Sequence, residues 1–116
     1  MSRWPLRLAV TATLLLILEH FIYTVQSFHT LTLQAVQFGE LGLPLLFLAF
    51  LNGIVWTLDR PATLARFTTH LANVLMLVVA GLVAWLAPVA PAYLVLVCAV
   101  ALTLAALHAQ FVGRGV

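Results

Sequence analysis

Four long stretches of the sequence are almost entirely apolar, and each has about the length that a membrane-spanning helix requires. A helix rises ~1.5 Å per residue, so roughly 17–25 residues cross the ~30 Å hydrocarbon core of a bilayer. The four stretches cover residues 6–28, 41–58, 62–87 and 92–112. The pattern therefore predicts an all-α integral membrane protein in which four transmembrane helices form a single domain.

Proline residues mark where several of these predicted helices begin or end. Pro44 and Pro61 fall where the second and third helices start, and a first turn tolerates proline because its missing N–H has no helical partner there. Pro88 ends the third helix. The link at residues 87–91 is so short that the third and fourth helices must run in opposite directions. The predicted architecture is an antiparallel four-helix transmembrane bundle.

Small residues share one face of several predicted helices. Helices in lipid associate through close packing and hydrogen bonds, so small residues predict contact faces. The faces are formed by Ala49 and Gly53, by Ala80, Ala84 and Ala87, and by Cys98, Ala101, Ala105 and His108. They fit packing within one chain and association between copies equally well.

The basic residues are confined to one side of the predicted bundle. All five are arginines, and four spans place every one of them on the same side: Arg3, Arg7, Arg60, Arg66 and Arg114. Arginine and lysine accumulate in cytoplasmic segments of membrane proteins. Both termini are therefore predicted to be cytoplasmic, and we expect a multi-pass protein of a bacterial inner membrane.

The start of the chain shares features with a secretory signal peptide, since Arg3 and Arg7 precede an apolar run at residues 8–18. A cleavable signal peptide ends in a motif of small residues. The stretch "LEHFIYT" that follows the run offers no such site. We therefore predict that the first apolar segment is an uncleaved helix.

Composition narrows the classes of protein that the chain can represent. Only 7% of the 116 residues are charged and 65% are hydrophobic, whereas soluble domains carry about 25% charged residues. So few charges form no basic stripe, which argues against a nucleic-acid partner. The predicted partners are the lipid bilayer and either further copies of the chain or a larger membrane complex.

Polar residues gather at the outer end of the first predicted helix and just beyond it. The predicted outer polar site has six members: Glu19, His20, Tyr23, Gln26, His29 and Glu40. Spacing of i, i+4 and i+7 puts Glu19, Tyr23 and Gln26 on one helix face, while His20 lies about 100° away on the neighbouring face. The helix therefore presents a broad polar wedge in the outer half of the bilayer.

The depth of Glu19 leaves two hypotheses open. It lies about 13 residues beyond Leu6, or ~20 Å into the hydrocarbon core. A carboxylate there costs at least ~2.5 kcal/mol, so it must be protonated, paired or in contact with water. In the first hypothesis, the wedge is a proton-titrating or ligand-binding vestibule. In the second, the polar residues gather there only because the helix emerges from the bilayer. Glu40 fits a carboxylate placed at a positive helix start.

A second polar set lies toward the predicted inner end: Arg66, His70, Asn73 and His108. The first three share a face of the third helix by i, i+4, i+7 spacing. Facing histidines on neighbouring helices can ligate a b-type haem inside a bundle. The sequence therefore allows haem binding by His70 and His108, or two histidines near the membrane surface without a ligand.

Other polar and aromatic residues receive simpler interpretations. Asn52 in the second helix predicts an interhelical hydrogen bond. Trp4, Trp56, Trp85 and Tyr93 lie near predicted helix ends and are typical of an aromatic belt at the membrane surface. A metal site needs three or four converging ligands. The outer site contains suitable residue types without a metal-binding spacing, so the sequence leaves metal binding open.

The sequence contains none of the motifs that would indicate an enzyme. There is no G-x-S-x-G, no glycine-rich phosphate loop and no H-E-x-x-H. We therefore expect a non-enzymatic protein whose outer polar site serves proton- or small-ligand-linked transport or sensing within an oligomer. The alternative is an accessory subunit of a larger membrane complex, with or without haem.

Overall fold

The computed structural model describes residues 3–40, 42–58 and 60–112, apart from the side chains of residues 37, 39 and 40. These residues form five helices and no strand: α1 (Trp4–Ser27), α2 (Leu33–Glu40), α3 (Leu43–Val55), α4 (Thr63–Leu86) and α5 (Ala90–Val112). Arg114 and the side chain of Glu40 lie outside the described residues. The backbone of Glu40 ends α2, so the prediction that this residue starts a helix is wrong. The chain is thus all-helical over its described part, as the sequence predicts.

Three of the helices are long and apolar enough to cross a membrane. The helices α1, α4 and α5 contain 24, 24 and 23 residues. At ~1.5 Å per residue each exceeds the ~30 Å hydrocarbon thickness. These three helices are consistent with a multi-pass integral membrane protein.

The helix α3 is shorter than the predicted second span at residues 41–58. It has 13 residues, or ~20 Å of helix. It ends because residues 56–58 form a turn in which Thr57 and Leu58 donate their N–H groups to carbonyls three residues back. Pro61 follows closely, and proline disfavours helical backbone in the residue before it.

The helix α2 lies in the stretch that the sequence analysis treats as a connection. Its first turn is stabilised by Thr32, whose hydroxyl oxygen accepts a hydrogen bond from the Ala35 N–H at 3.1 Å. A threonine at this position satisfies one of the N–H groups that a helix start leaves without a partner. This capping threonine is a weak sequence signal for a helix. The helix has only eight residues, which is too short for its apolar periodicity to predict it.

The four longer helices pack in a ring. The helix α1 packs against α3 and α5, α4 packs against the same two helices, and α2 lies against α1. Gly42 touches the rings of His20 and Phe21, where an added Cβ atom would approach them to 3.1 Å, and Gly53 lies beside Val10. The glycine at position 42 therefore permits the close approach of α3 to α1.

The interior combines small and polar side chains with some large apolar ones, including Leu48, Trp56 and Leu102, while most large apolar side chains face outward. Alanines dominate the buried face of α5, and four polar side chains are fully buried: Thr13, Asn52, Thr69 and Asn73. Leucine, valine and phenylalanine side chains cover the exposed surface of every helix. A soluble protein would not expose so much contiguous apolar surface, whereas helices in lipid require close packing inside and apolar residues outside.

Candidate functional sites at the two ends of the helices

Glu19 and His20 are adjacent in sequence but point in different directions. The Glu19 side chain is exposed on the surface of α1, whereas His20 is half-buried. The His20 Nε2 atom lies 2.9 Å from the carbonyl oxygen of Phe38. Because a carbonyl can only accept, His20 carries its proton on Nε2 and donates this bond.

His20 holds the last turn of α2 against α1. The final four carbonyls of a helix have no partner within the helix, and the carbonyl of Phe38 is one of these. The Phe38 ring stacks on the imidazole with centroids 5.0 Å apart, and it also contacts Tyr23 at 6.1 Å and Phe28 at 5.5 Å. Phe38 is thus the centre of an aromatic cluster that joins α1 to α2.

The structure divides the predicted outer polar site into separate places. Glu19, Tyr23 and Gln26 share an exposed face of α1, as their spacing predicts, and His29 is exposed in the link that follows. His20 belongs instead to the contact with α2. Within the part of the chain that the structure describes, no three His, Cys, Asp or Glu residues converge on a common point.

Away from this end, Asn73 near the middle of α4 pairs with Asn52 of α3. Each side-chain amide donates to the other's carbonyl oxygen, at 2.7 Å and 3.0 Å, and both side chains are fully buried. Asn52 also donates to the carbonyl of Leu48. The predicted interhelical hydrogen bond of Asn52 is confirmed, and its partner is the last member of the predicted inner row.

The other members of the inner set do not meet at one point. His70 is hydrogen-bonded to Gln110 of α5, and its ring lies 5.2 Å from the ring of Trp56. Arg66 donates to the hydroxyl of Thr63 in its own first turn, and His108 is exposed. His108 is two residues from Gln110, so about 200° of helix rotation separates it from the face that touches His70. Haem binding by the two histidines stays a prediction.

Trp56 differs from the predicted aromatic belt. Trp4, Trp85 and Tyr93 are exposed as a belt requires, but Trp56 is only 2% exposed. Its backbone carbonyl accepts a hydrogen bond from the Arg3 guanidinium, while its indole N–H has no partner among the described residues. An arginine at a helix C-terminus also interacts favourably with the helix dipole.

Arg3, Trp56 and Gln110 therefore lie at the same end of the helices as His70, although the sequence analysis did not include them in the second polar set. For Trp56, the spacing from Ala49 and Asn52 along the helix could have predicted a buried position. Trp56 lies four residues after Asn52 and seven after Ala49, which places it on their small and polar face. Both of those residues are fully buried. Arg3 and Gln110 give no comparable signal, since their partners lie 53 and 40 residues away.

Comparison with known proteins adds no assignment to this geometry. No family model matches the sequence, and no curated protein or solved structure is significantly similar to it. Function is therefore inferred from the described residues. The most unusual of these is Glu19, a carboxylate exposed among leucine and isoleucine side chains on a helix long and apolar enough to cross a membrane.

Proposed function

We propose that the chain is an antiparallel four-helix transmembrane bundle. Supporting contacts come from both ends of the helices. Gly42 lies beside His20 and Gly53 beside Val10, as expected if α3 runs back along α1. The Asn52–Asn73 and Trp56–His70 contacts have the same implication for α3 and α4. The short link between α4 and α5 reverses the chain once more.

The second span in this proposal is a broken helix formed by α2 and α3 together. The helix α3 alone covers ~20 Å, which is less than the bilayer core. Residues 33–55 would cover ~34 Å if both helices contribute. Interrupted helices at membrane depth occur where side chains satisfy the freed backbone groups. The His20 bond to the Phe38 carbonyl supplies such a group at this interruption.

We propose that the arginine-bearing end faces the cytoplasm. Arg3 and Arg66 take part in contacts at the end where α3 finishes and α4 starts, and the positive-inside rule assigns such an end to the cytoplasm. A His29→Cys variant in a Cys98→Ala background tests this orientation. A membrane-impermeant maleimide should label it from the outside of intact cells, while a Thr63→Cys variant should stay unlabelled. The reverse pattern would overturn the orientation. The location in a bacterial inner membrane remains part of the proposal.

For activity, we propose that the exposed row of Glu19, Tyr23 and Gln26 serves proton- or small-ligand-linked transport or sensing. The exposed position of Glu19 carries this proposal. A carboxylate in a membrane-spanning helix is costly and is retained mainly where it faces a cavity, a partner or a proton pathway. Its neighbour His20 supplies a second titratable group where α1 contacts the last turn of α2.

Proton flux into liposomes tests the proposed activity. Purified protein is reconstituted with a trapped pH-sensitive dye, and a pH gradient is imposed while valinomycin clamps the membrane potential. We expect Glu19→Gln to lower the flux by at least about tenfold, because glutamine cannot release a proton. His108→Gln, which changes an exposed ionisable residue on α5, should leave the flux unchanged. Absence of flux in the wild-type protein, or equal flux in Glu19→Gln, would contradict proton transport.

Native mass spectrometry distinguishes the proposed function from the alternative role as an accessory subunit of a larger membrane complex. Gentle extraction should yield the chain bound to other polypeptides if this alternative holds. Assemblies made only of this chain would exclude it. The same spectrum would reveal a bound haem by its mass.

A further inference from the structure

One face of α1 carries a continuous exposed stripe with heptad spacing. The stripe comprises Leu8, Ala12, Leu15, Glu19, Ile22 and Gln26, all of which are exposed. Leu8 and Leu15 are each 61% exposed. Steps of four and three residues keep these positions aligned along a helix with 3.5 residues per turn, which is the spacing of a helix–helix seam. The opposite face, with Ala9, Thr13 and Ile17, is buried within the chain.

Glu19 lies within this stripe without a described cation nearby. On its own helix the nearest arginine is Arg7, and twelve residues separate the two by ~18 Å. The other described arginines belong to the opposite end of the bundle. One turn further on, Tyr23 is exposed on the same side of α1 as Glu19. A shallow, open depression in the surface borders the stripe and is lined by Phe21, Ile22, Val25 and Gln26.

We propose that this stripe binds the same stripe of a second copy of the chain, and that the partner's Glu19 completes the polar site. The inference rests on the proposed orientation. Because the arginine asymmetry orients every copy in the same way, two α1 helices that meet in one membrane must be parallel. Around a twofold axis along the membrane normal, each position of a heptad seam faces its own equivalent.

The chemistry of the stripe is self-complementary in this arrangement. A carboxyl group of one copy can donate a hydrogen bond to a carboxyl oxygen of the other, because this group contains both a hydroxyl donor and acceptor oxygens when it carries a proton. Tyr23 supplies a further hydroxyl donor at the same interface, and Gln26 both donates and accepts. Ala12 allows the two backbones to approach closely, as small residues do at helix interfaces in lipid. A leucine-only stripe would gain no such polar contact from a second copy.

Disulfide cross-linking in proteoliposomes tests the interface directly. In a Cys98→Ala background, Leu15→Cys should form dimers rapidly under mild oxidation. Val78→Cys is the matched control, since Val78 is 54% exposed and lies on α4, which does not contact α1. Val78→Cys should form less than about a tenth as much dimer as Leu15→Cys. This ratio is expected if the interface raises the local concentration of the two Leu15→Cys thiols about tenfold. Equal cross-linking at both positions, or none at Leu15→Cys, would overturn the proposal.

The contribution of Glu19 is tested by energy transfer between labelled copies in liposomes. Glu19→Ala should weaken association by about tenfold, within the range of interhelical polar contacts. Glu19→Gln should retain most of the association, because facing amides also donate and accept. Association of Glu19→Ala equal to that of the wild type would overturn the assigned role.

The two proposals fail separately. Cross-linking as expected without proton flux would remove proton transport and leave the interface. Glu19-dependent flux without cross-linking would remove the interface and leave the function.

Discussion

Asn52 of α3 and Asn73 of α4 exchange two hydrogen bonds in the interior of the bundle, at 2.7 Å and 3.0 Å between donor and acceptor atoms. Both side chains are fully buried. Each amide therefore satisfies the other where water is excluded. This reciprocal pair fixes the axial register of α3 against α4, since a shift by one turn would separate both partners.

Removing both members of this pair should cost less stability than the two single removals added together. Asn52→Ala leaves the Asn73 amide buried without its partner, which costs about 1–3 kcal/mol. Steric trapping in micelles can measure the free energy of unfolding. The double variant Asn52→Leu/Asn73→Leu should lose less stability than the sum of the two single leucine variants. Additive losses would show that the two amides are not coupled.

Substitution of Gly42 should destabilise the contact between α1 and α3. A methyl group at this position meets the rings of His20 and Phe21 at 3.1 Å, and the His20 ring is held by Phe38 and cannot shift freely. We expect Gly42→Ala to lower the free energy of unfolding by about 1 kcal/mol, as overpacking does.

Gly81 provides the matched control for Gly42, since an added Cβ atom there meets nothing within 4 Å. Gly81→Ala in α4 should be neutral or stabilising by up to ~1 kcal/mol, because alanine favours helix. A stability loss at Gly81 equal to that at Gly42 would contradict the steric explanation.

Loss of the His20 side chain should release α2 while leaving the long helices intact. His20→Ala removes the bond to the Phe38 carbonyl and the stacked ring. Hydrogen–deuterium exchange should become about tenfold faster for amides of residues 33–40, which corresponds to ~1.4 kcal/mol of local stability. His29→Ala, at an exposed position, should leave exchange in α2 unchanged. Uniform acceleration across all helices would instead indicate global destabilisation.

Enlargement of a buried alanine in α5 should disturb close helix packing. Ala106 is fully buried, and Ala106→Leu should cost about 1–3 kcal/mol because the neighbouring helices must separate. Ala90→Leu changes an exposed residue in the first turn of the same helix and should have little effect. Thermal unfolding in detergent compares the two variants, and equal melting temperatures would contradict the packing argument.

The sequence could predict α1, α4 and α5 closely because long apolar segments have few alternatives to membrane-length helices. It could also predict that Asn52 makes an interhelical bond, since a buried amide needs a partner. It could not identify Asn73 as that partner, because helix faces in contact are not marked by apolar residues when lipid already surrounds the helix. Trp56 was placed at the membrane surface for the same reason, although its spacing from Ala49 indicates the buried face.

The sequence could not predict α2, or the directions in which the side chains of Glu19 and His20 point, for another reason. The start of α2 depends on one hydroxyl of Thr32, and its end on His20, a residue eighteen positions from Phe38. Glu19 and His20 differ by one helical step, and only the positions of α2 and α3 decide which of them is covered.

The sequence by itself determined the helical class and the three membrane-length helices, because these follow from hydrophobicity and segment length. The tertiary structure alone decided that Asn52 pairs with Asn73, that Trp56 is buried, and that His20 binds α2 while Glu19 remains exposed. Those relationships depend on the rotation and register of each helix against its neighbours, which a uniformly apolar surface does not encode.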